Sequence, residues 1–260
     1  MLSIVGQDYP HARAVILLQN FTRIQEDHLR GLALSVFRVA EAGRPKPLVL
    51  NVEGNEQDMR SRLLTEGLQI KGRFASFLDF DDYYYPFACS YFAYRQEESG
   101  AAITFARTVG KRVFPTGPVD YTLDREVMFA SQSGLGELFK TNFCPINSFA
   151  LDLSRISADD LCFDHSISRL EDYEFLLRIC SKYQSDFDGL TRAVSVYAQR
   201  IDASGSTNFV GGDHNPKHEI EWDKGRAKIE ALKRRLLSEP NEFTPYISKT
   251  IRESMAATSQ

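Results

Sequence analysis

One short apolar stretch that runs directly into a cluster of carboxylates constrains this chain more than any other feature. Phe74 to Leu78 is apolar, follows Gly72, and leads straight into Asp79, Asp81 and Asp82, after which come Tyr83-Tyr84-Tyr85-Pro86. A brief apolar run bounded by a glycine predicts a buried central strand. Carboxylates cannot be left in a core unpaired, because burying a bare charge costs several kcal/mol or more. At the carboxyl end of a buried strand, however, an open α/β sheet places its ligands. Asp79 and Asp81 are two residues apart, so an extended chain turns both to one side, where they can share a hard cation with a diphosphate. Taken alone, the same segment is also compatible with an ordinary acidic strand-to-turn loop.

The surrounding pattern predicts an α/β fold. Ala12–Gln19 and Pro47–Val52 have the composition of strands, and Glu26–Ala42 and Met59–Ile70 carry apolar residues at helical spacing. With Phe74–Leu78 this gives strand–helix–strand–helix–strand, the rhythm of a mostly parallel sheet with helices on its faces. Downstream, Pro86–Glu98 predicts a helix, Ala101–Arg107 a strand and Thr108–Asp124 a loop with two prolines, while Glu126–Phe139 is too mixed to assign. Arg169–Tyr183 places Leu170, Tyr173, Leu176, Leu177 and Cys180 on one helical stripe, and Val194–Tyr197 is a last strand. Asp202–Asn215 is a polar, glycine-rich loop, Glu219–Leu237 a charged and solvated helix, and Ser254–Gln260 a frayed tail.

Composition removes several function classes. The net charge is −4 over 260 residues, which argues against a non-specific nucleic-acid binder. Hydrophobic residues make up 43% and charged residues 25%, enough apolar material for one large core. Cys89, Cys144, Cys162 and Cys180 are widely spaced, with no CxxC pair, and are expected to be reduced and mostly buried. No apolar run approaches the roughly 20 residues of a membrane span, so a cytoplasmic location is expected.

A second acidic site lies far downstream. Phe163-Asp164-His165-Ser166-Ile167-Ser168-Arg169-Leu170-Glu171-Asp172-Tyr173 opens the Arg169–Tyr183 helix, with Glu171 and Asp172 in its first turn. Acidic residues there complement the helix dipole, so a purely structural role is the simpler alternative. The two sites in this order, with Gly67-Leu68 and Gly72-Arg73 ahead of the first, resemble the family 2 glycosyltransferases of GT-A fold. Further resemblance comes from Gln7–Pro10, from Phe143-Cys144-Pro145-Ile146-Asn147-Ser148, and from Tyr197–Arg200 followed by Ser204–Thr207. The resemblance implies a GT-A domain over residues 1–215 and a C-terminal helical extension over 216–260.

It further implies inverting transfer of a sugar from a UDP-, dTDP- or GDP-linked donor to a hydroxyl on a saccharide or lipid-linked acceptor, in bacterial surface polysaccharide synthesis. Asp79 would contact the ribose or the metal, and Asp81 would hold Mn2+ or Mg2+ across the two phosphates. Asp172 would be the general base and Glu171 would orient the acceptor. Arg60 corresponds to a nucleotide-contacting arginine of the family, and Arg200 is a candidate phosphate clamp, with an ordinary strand-end surface arginine as the equal alternative. His214 is a candidate third metal ligand, although a surface histidine is the plainer reading. The basic Lys224–Arg235 segment allows peripheral contact with an anionic membrane.

The chain is expected to lack the family's usual first strand. A rival register makes Val15–Arg23 that strand and Glu53 the base-contacting acid, and both registers stay open. Two other functions also stay open: a non-catalytic GT-A module that binds a nucleotide-sugar or a protein, and a nucleotidyltransferase. The latter calls for a glycine-rich phosphate loop with Lys or Arg after the first strand, which is not seen.

Overall fold

The computed structural model of the chain describes residues 1–38, 44–54, 59–116, 119–129, 134–200 and 216–238. A short helix α1 (Leu2–Val5) precedes β1 (Val15–Gln19), α2 (Arg23–Arg38), β2 (Leu48–Val52), α3 (Met59–Leu68), β3 (Phe74–Ser76) and β4 (Tyr83–Tyr84). Then come α4 (Ala88–Ser99), β5 (Ile103–Phe105), β6 (Arg107–Thr116), β7 (Val119–Phe129), α5 (Leu135–Lys140) and β8 (Phe149–Asp152). The chain continues through α6 (Glu171–Cys180), β9 (Ser185–Asp186), β10 (Ala193–Arg200) and α7 (Pro216–Ser238).

The strands form three ladders with mixed pairing. β1 and β2 run parallel, with Leu17 opposite Leu50. A second ladder has the order β3-β8-β5-β9, and a third the order β4-β10-β6-β7. The β1–α2–β2 start keeps the rhythm expected from the sequence. Helix α2 begins earlier than Glu26 because Thr22 and Gln25 form a capping box. The Gln25 N–H donates to Thr22 Oγ1 at 3.4 Å and the Thr22 N–H to Gln25 Oε1 at 2.9 Å.

Two expectations are corrected. β3 is three residues long, stands at the edge of its ladder and is only partly buried, so Phe74–Leu78 is not a central strand. The chain leaves the ladder at Phe77, whose carbonyl accepts the Tyr84 hydroxyl at 2.6 Å. Its ring instead packs on Phe149 and Phe163, with centroids 5.8 and 5.7 Å away. Second, residues 108–116 and 119–124 are not a loop. They belong to the β6–β7 hairpin, whose inner strand β6 also pairs in parallel with β10. Pro115 lies beside the end of that ladder, opposite Asp120, a position where a strand tolerates proline. The expected Asp202–Asn215 loop and the Ser254–Gln260 tail lie outside the described residues.

The main core gathers around β5, β8 and α6. Phe105, Phe149, Phe175, Leu176 and Leu177 are fully enclosed, Phe105 stacks on Phe187 at 4.4 Å and Phe163 on Phe175 at 4.4 Å. Helix α7 is not solvated all round as its charge suggests. Ile229, Leu232 and Leu236, spaced three and four apart, join this same core. Of the four thiols, Cys144 and Cys180 are buried, Cys89 is half-buried and Cys162 exposed, and all are free.

Gly189 follows β9 where the backbone passes against β5. A Cβ added there would come within 2.1 Å of the Phe105 carbonyl oxygen. Gly189→Ala is therefore expected to destabilise the fold by about 2–3 kcal/mol, since backbone rather than a flexible side chain must move. Urea unfolding measures this, and an unchanged midpoint would refute the close approach.

Candidate functional site

The carboxylate cluster after β3 is a tight turn, not an extended run. The Asp82 N–H donates to the Asp79 carbonyl at 3.1 Å, which leaves Phe80 and Asp81 at the tip. Phe80 is 94% exposed and Asp81 is half-buried. In a turn the alternation of an extended chain does not apply, so Asp79 and Asp82 take different environments.

Asp82 turns inward. Its Oδ1 accepts the Ala198 N–H at 2.8 Å, and its Oδ2 accepts the Asn147 amide at 2.9 Å. That amide also donates to the Val196 carbonyl at 3.2 Å, while Thr108 Oγ1 donates to the Asn147 oxygen at 3.3 Å. Ser195 and Thr108 hydroxyls lie 2.6 Å apart and Ser195 Oγ lies 3.0 Å from the Asn147 carbonyl, so the two hydroxyl hydrogens are shared among these contacts. One buried polar network thus fastens the acidic turn to β6 and β10. Burial lifts the Asp82 carboxyl to about 8, against the Ala198 amide bond and helped by Asp79 and Asp81. Nothing local in the sequence marks Asn147 as the partner of Asp82, because their contact spans distant segments.

The second acidic site is built at the start of α6. Leu170 precedes the helix at φ 63°, in the left-handed region, and turns the chain so that Glu171 and Asp172 open the first turn. Glu171 is 5% exposed, an unusual setting for a carboxylate without a cation.

Arg60 on α3 is that cation. Its Nη1 and Nη2 donate to the two oxygens of Asp79 at 2.9 and 3.1 Å, and its Nε lies 2.6 Å from Glu171 Oε1. One guanidinium therefore joins the acidic turn after β3 to the acidic start of α6. The planar fork allows bidentate contact with Asp79 while Nε serves Glu171. Beside this bridge, Asp172 accepts the N–H of Tyr173 at 2.7 Å. Asp172 keeps some surface open to solvent but is enclosed by protein on most sides. Burial first, and the Glu171 charge second, lift its carboxyl to about 7, with Arg60 and the Tyr173 amide opposing. The helix start alone would have lowered it; burial wins.

Helix α3 also steadies the approach to α6. Thr65 accepts the Phe163 N–H at 3.0 Å, and its hydroxyl lies 3.5 Å from His165 Nε2. Asp79, Arg60, Glu171 and Asp172 thus come together, while other candidates stand elsewhere or beyond description. Arg200 ends β10 opposite Val113, and its side chain lies outside the described ones. His214 lies outside the described residues, and Glu53 is exposed just past β2. Cys144 and Ser148 are buried, the latter donating to the Pro145 carbonyl at 2.6 Å, in keeping with a packing role.

Among the described residues, no three His, Cys, Asp or Glu side chains meet as a metal cage. Asp79 and Asp81 are nonetheless hard oxygen donors of the type that Mg2+ or Mn2+ takes, in the one-or-two-carboxylate arrangement that substrate phosphates complete. The donor set fits such a half-site once Asp79, both of whose oxygens Arg60 holds here, turns an oxygen to the cation.

No protein-family model matches the sequence, and no curated protein matches it. The fold does have solved counterparts. Residues 1–349 of S. aureus TarS in complex with UDP-GlcNAc are similar to it at a TM-score of 0.60 and 14% identity, over 96% of this chain and 65% of that one. The UDP complex of the same fragment gives 0.56 and 13%, over 96% and 64%. The chain therefore spans just under two thirds of the TarS fragment. At such identity the likeness is one of fold, a mixed α/β fold of GT-A type.

Asp82→Ala would leave the Ala198 N–H and the Asn147 amide buried without their acceptor, and should cost about 2–4 kcal/mol. The folded chain holds the Asp82 proton to about pH 8, whereas an unfolded aspartate releases it near 4. Its contribution to stability is thus full below about pH 4 and is lost as pH rises towards 8. Thermal melts from pH 5 to 8 should show wild-type stability falling, with a shallower fall in Asp82→Ala; identical slopes would contradict the buried, protonated state.

Proposed function

We propose that this chain is a glycosyltransferase of family 2 type, which moves a sugar from a nucleotide diphosphate donor to a hydroxyl acceptor with inversion. The observation that carries the reading is the Arg60 bridge, which brings Asp79 to Glu171 and beside Asp172, whose carboxyl is lifted to about 7. A general base works best when its pKa lies near the working pH, and that is where this environment holds Asp172. The UDP and UDP-GlcNAc complexes of the similar TarS fold favour a uridine donor over dTDP or GDP.

Asp79 and Asp81 are the residues that would hold Mn2+ or Mg2+. When bound, such a cation neutralises charge that develops on the departing diphosphate. Asp172 takes the proton of the acceptor hydroxyl as that oxygen bonds to the anomeric carbon. Glu171 fixes Arg60 and orients the acceptor, and Arg200 is assigned to clamp a phosphate. We assign residues 1–215 to the catalytic domain and 216–260 to an extension. The acceptor is a saccharide or a lipid-linked saccharide of a bacterial surface polymer, met from the cytoplasm with peripheral contact to the membrane. Among the described residues no helix is long and apolar enough to cross a membrane.

The test uses UDP-GlcNAc turnover, with water or an added saccharide as acceptor, alongside UDP binding. Asp172→Asn should lower kcat by roughly 10³-fold and leave UDP affinity unchanged. Asp81→Ala should abolish metal-dependent UDP binding, and chelation by EDTA should do the same to the wild type. The wild-type rate should rise with pH to a plateau above about 7, because Asp172 acts only when deprotonated. Binding without turnover in the wild type would favour a non-catalytic nucleotide-sugar module. Near wild-type turnover by Asp172→Asn would reject the base assignment.

A further inference from the structure

Between the end of the Phe163–Asp164 pair and the first turn of α6, the chain makes a short irregular passage. It ends on Leu170, a non-glycine residue at φ 63°. Such residues persist in the left-handed region only where the surroundings hold them. Helix α7 is what lies against this passage. Lys228 pairs with Asp164 and donates to the Ser166 hydroxyl. These bonds, with the Ser166 amide, hold Asp164 below the usual carboxylate range although burial opposes them. One turn earlier, Gly225 faces the Arg169 carbonyl so closely that a Cβ would lie 2.7 Å from its oxygen and 3.5 Å from Leu170 Cδ1. The Arg169 guanidinium in turn lies 5.9 Å from the Trp222 ring, and its Nε lies 3.5 Å from Glu221. Further along, Lys233 sits 5.3 Å over the ring of Tyr173, the residue after Asp172. The apolar face of α7 is anchored in the core by Ile229, Leu232 and Leu236, so the helix is a fixed support.

We infer that α7 is a positioning element for the catalytic carboxylates: Gly225 and Lys228 clamp the 164–170 passage and so hold Leu170 in the conformation that aims Asp172. The inference rests on Asp172 as the base, and it adds that residues past 215 are part of the active site's support. No residue of α7 need touch substrate. Gly225 is required because only a hydrogen fits against the Arg169 carbonyl, and Lys228 because it ties down the other end of the passage.

The experiment compares Gly225→Ala, Lys228→Met and the exchanged pair Lys228→Asp with Asp164→Lys, with Asp172→Asn as control. Hydrogen exchange of the amides of residues 164–174 reports the clamp without any ligand. UDP affinity in Mn2+ and kcat for UDP-GlcNAc turnover report its consequence. Both single variants should speed exchange in that segment, keep UDP affinity, and lower kcat by about 10- to 100-fold, since small misplacements of a reacting group have effects of that order. The exchanged pair should recover kcat. Unchanged exchange, unchanged kcat, or UDP affinity and kcat falling together would each overturn the clamp. If instead the wild type turns nothing over, or Asp172→Asn turns over normally, the base assignment fails and takes the inference with it. Failure of the clamp alone leaves Asp172→Asn inactive and Gly225→Ala active.

Discussion

A single guanidinium holds this site together. Asp79, Glu171 and Asp172 converge from segments far apart in the chain, and two like charges about 4 Å apart repel by roughly 4 kcal/mol near a protein surface. Arg60 offsets that repulsion by engaging both oxygens of Asp79 and one of Glu171. It does so from α3, the helix that also holds Phe163 through Thr65. The two acidic motifs are therefore positioned by one element, and the partial solvent exposure of Arg60 leaves that cation within reach of an incoming anion. In this arrangement Asp172 is the carboxyl left without the cation as a direct partner, which is why burial and Glu171 raise it.

A second constraint works beneath the first. Asp82, Asn147, Thr108 and Ser195 form a closed set of buried hydrogen bonds between the acidic turn and strands β6 and β10. Buried polar groups are costly when partly satisfied and rigid when fully satisfied. The network thus fixes the turn that presents Asp79 and Asp81, and two of its aspartates divide the labour: Asp82 anchors the turn while Asp79 meets Arg60.

Local signals in the sequence carried much of this and stopped where distant pairing began. The α6 stripe, the α4 helix and the β1–α2–β2 opening follow from apolar spacing, which depends on neighbours along the chain. The pairing of an acidic cluster after an apolar run with Glu171-Asp172 at a helix start was also visible, and with it the fold. The β6–β7 hairpin was not, because its two prolines read as loop while the ladder that accommodates Pro115 involves residues on the partner strand. The edge position of β3 depends on Tyr84 capturing the Phe77 carbonyl, and no periodicity encodes that bond. Arg60 was visible only as a nucleotide contact by resemblance; its bridge between two motifs is a tertiary fact. In α7 the buried Ile229, Leu232 and Leu236 are diluted among lysines and arginines, so a helix that closes the core looked like a solvated one.

The most direct measurement is calorimetric titration of the wild-type chain with UDP, dTDP and GDP, each with and without Mn2+. If the carboxylates joined by Arg60 form a nucleotide-diphosphate site, one nucleotide, UDP, binds in the presence of metal and not in its absence. A folded sample that binds none of the three under either condition would contradict the account at its centre.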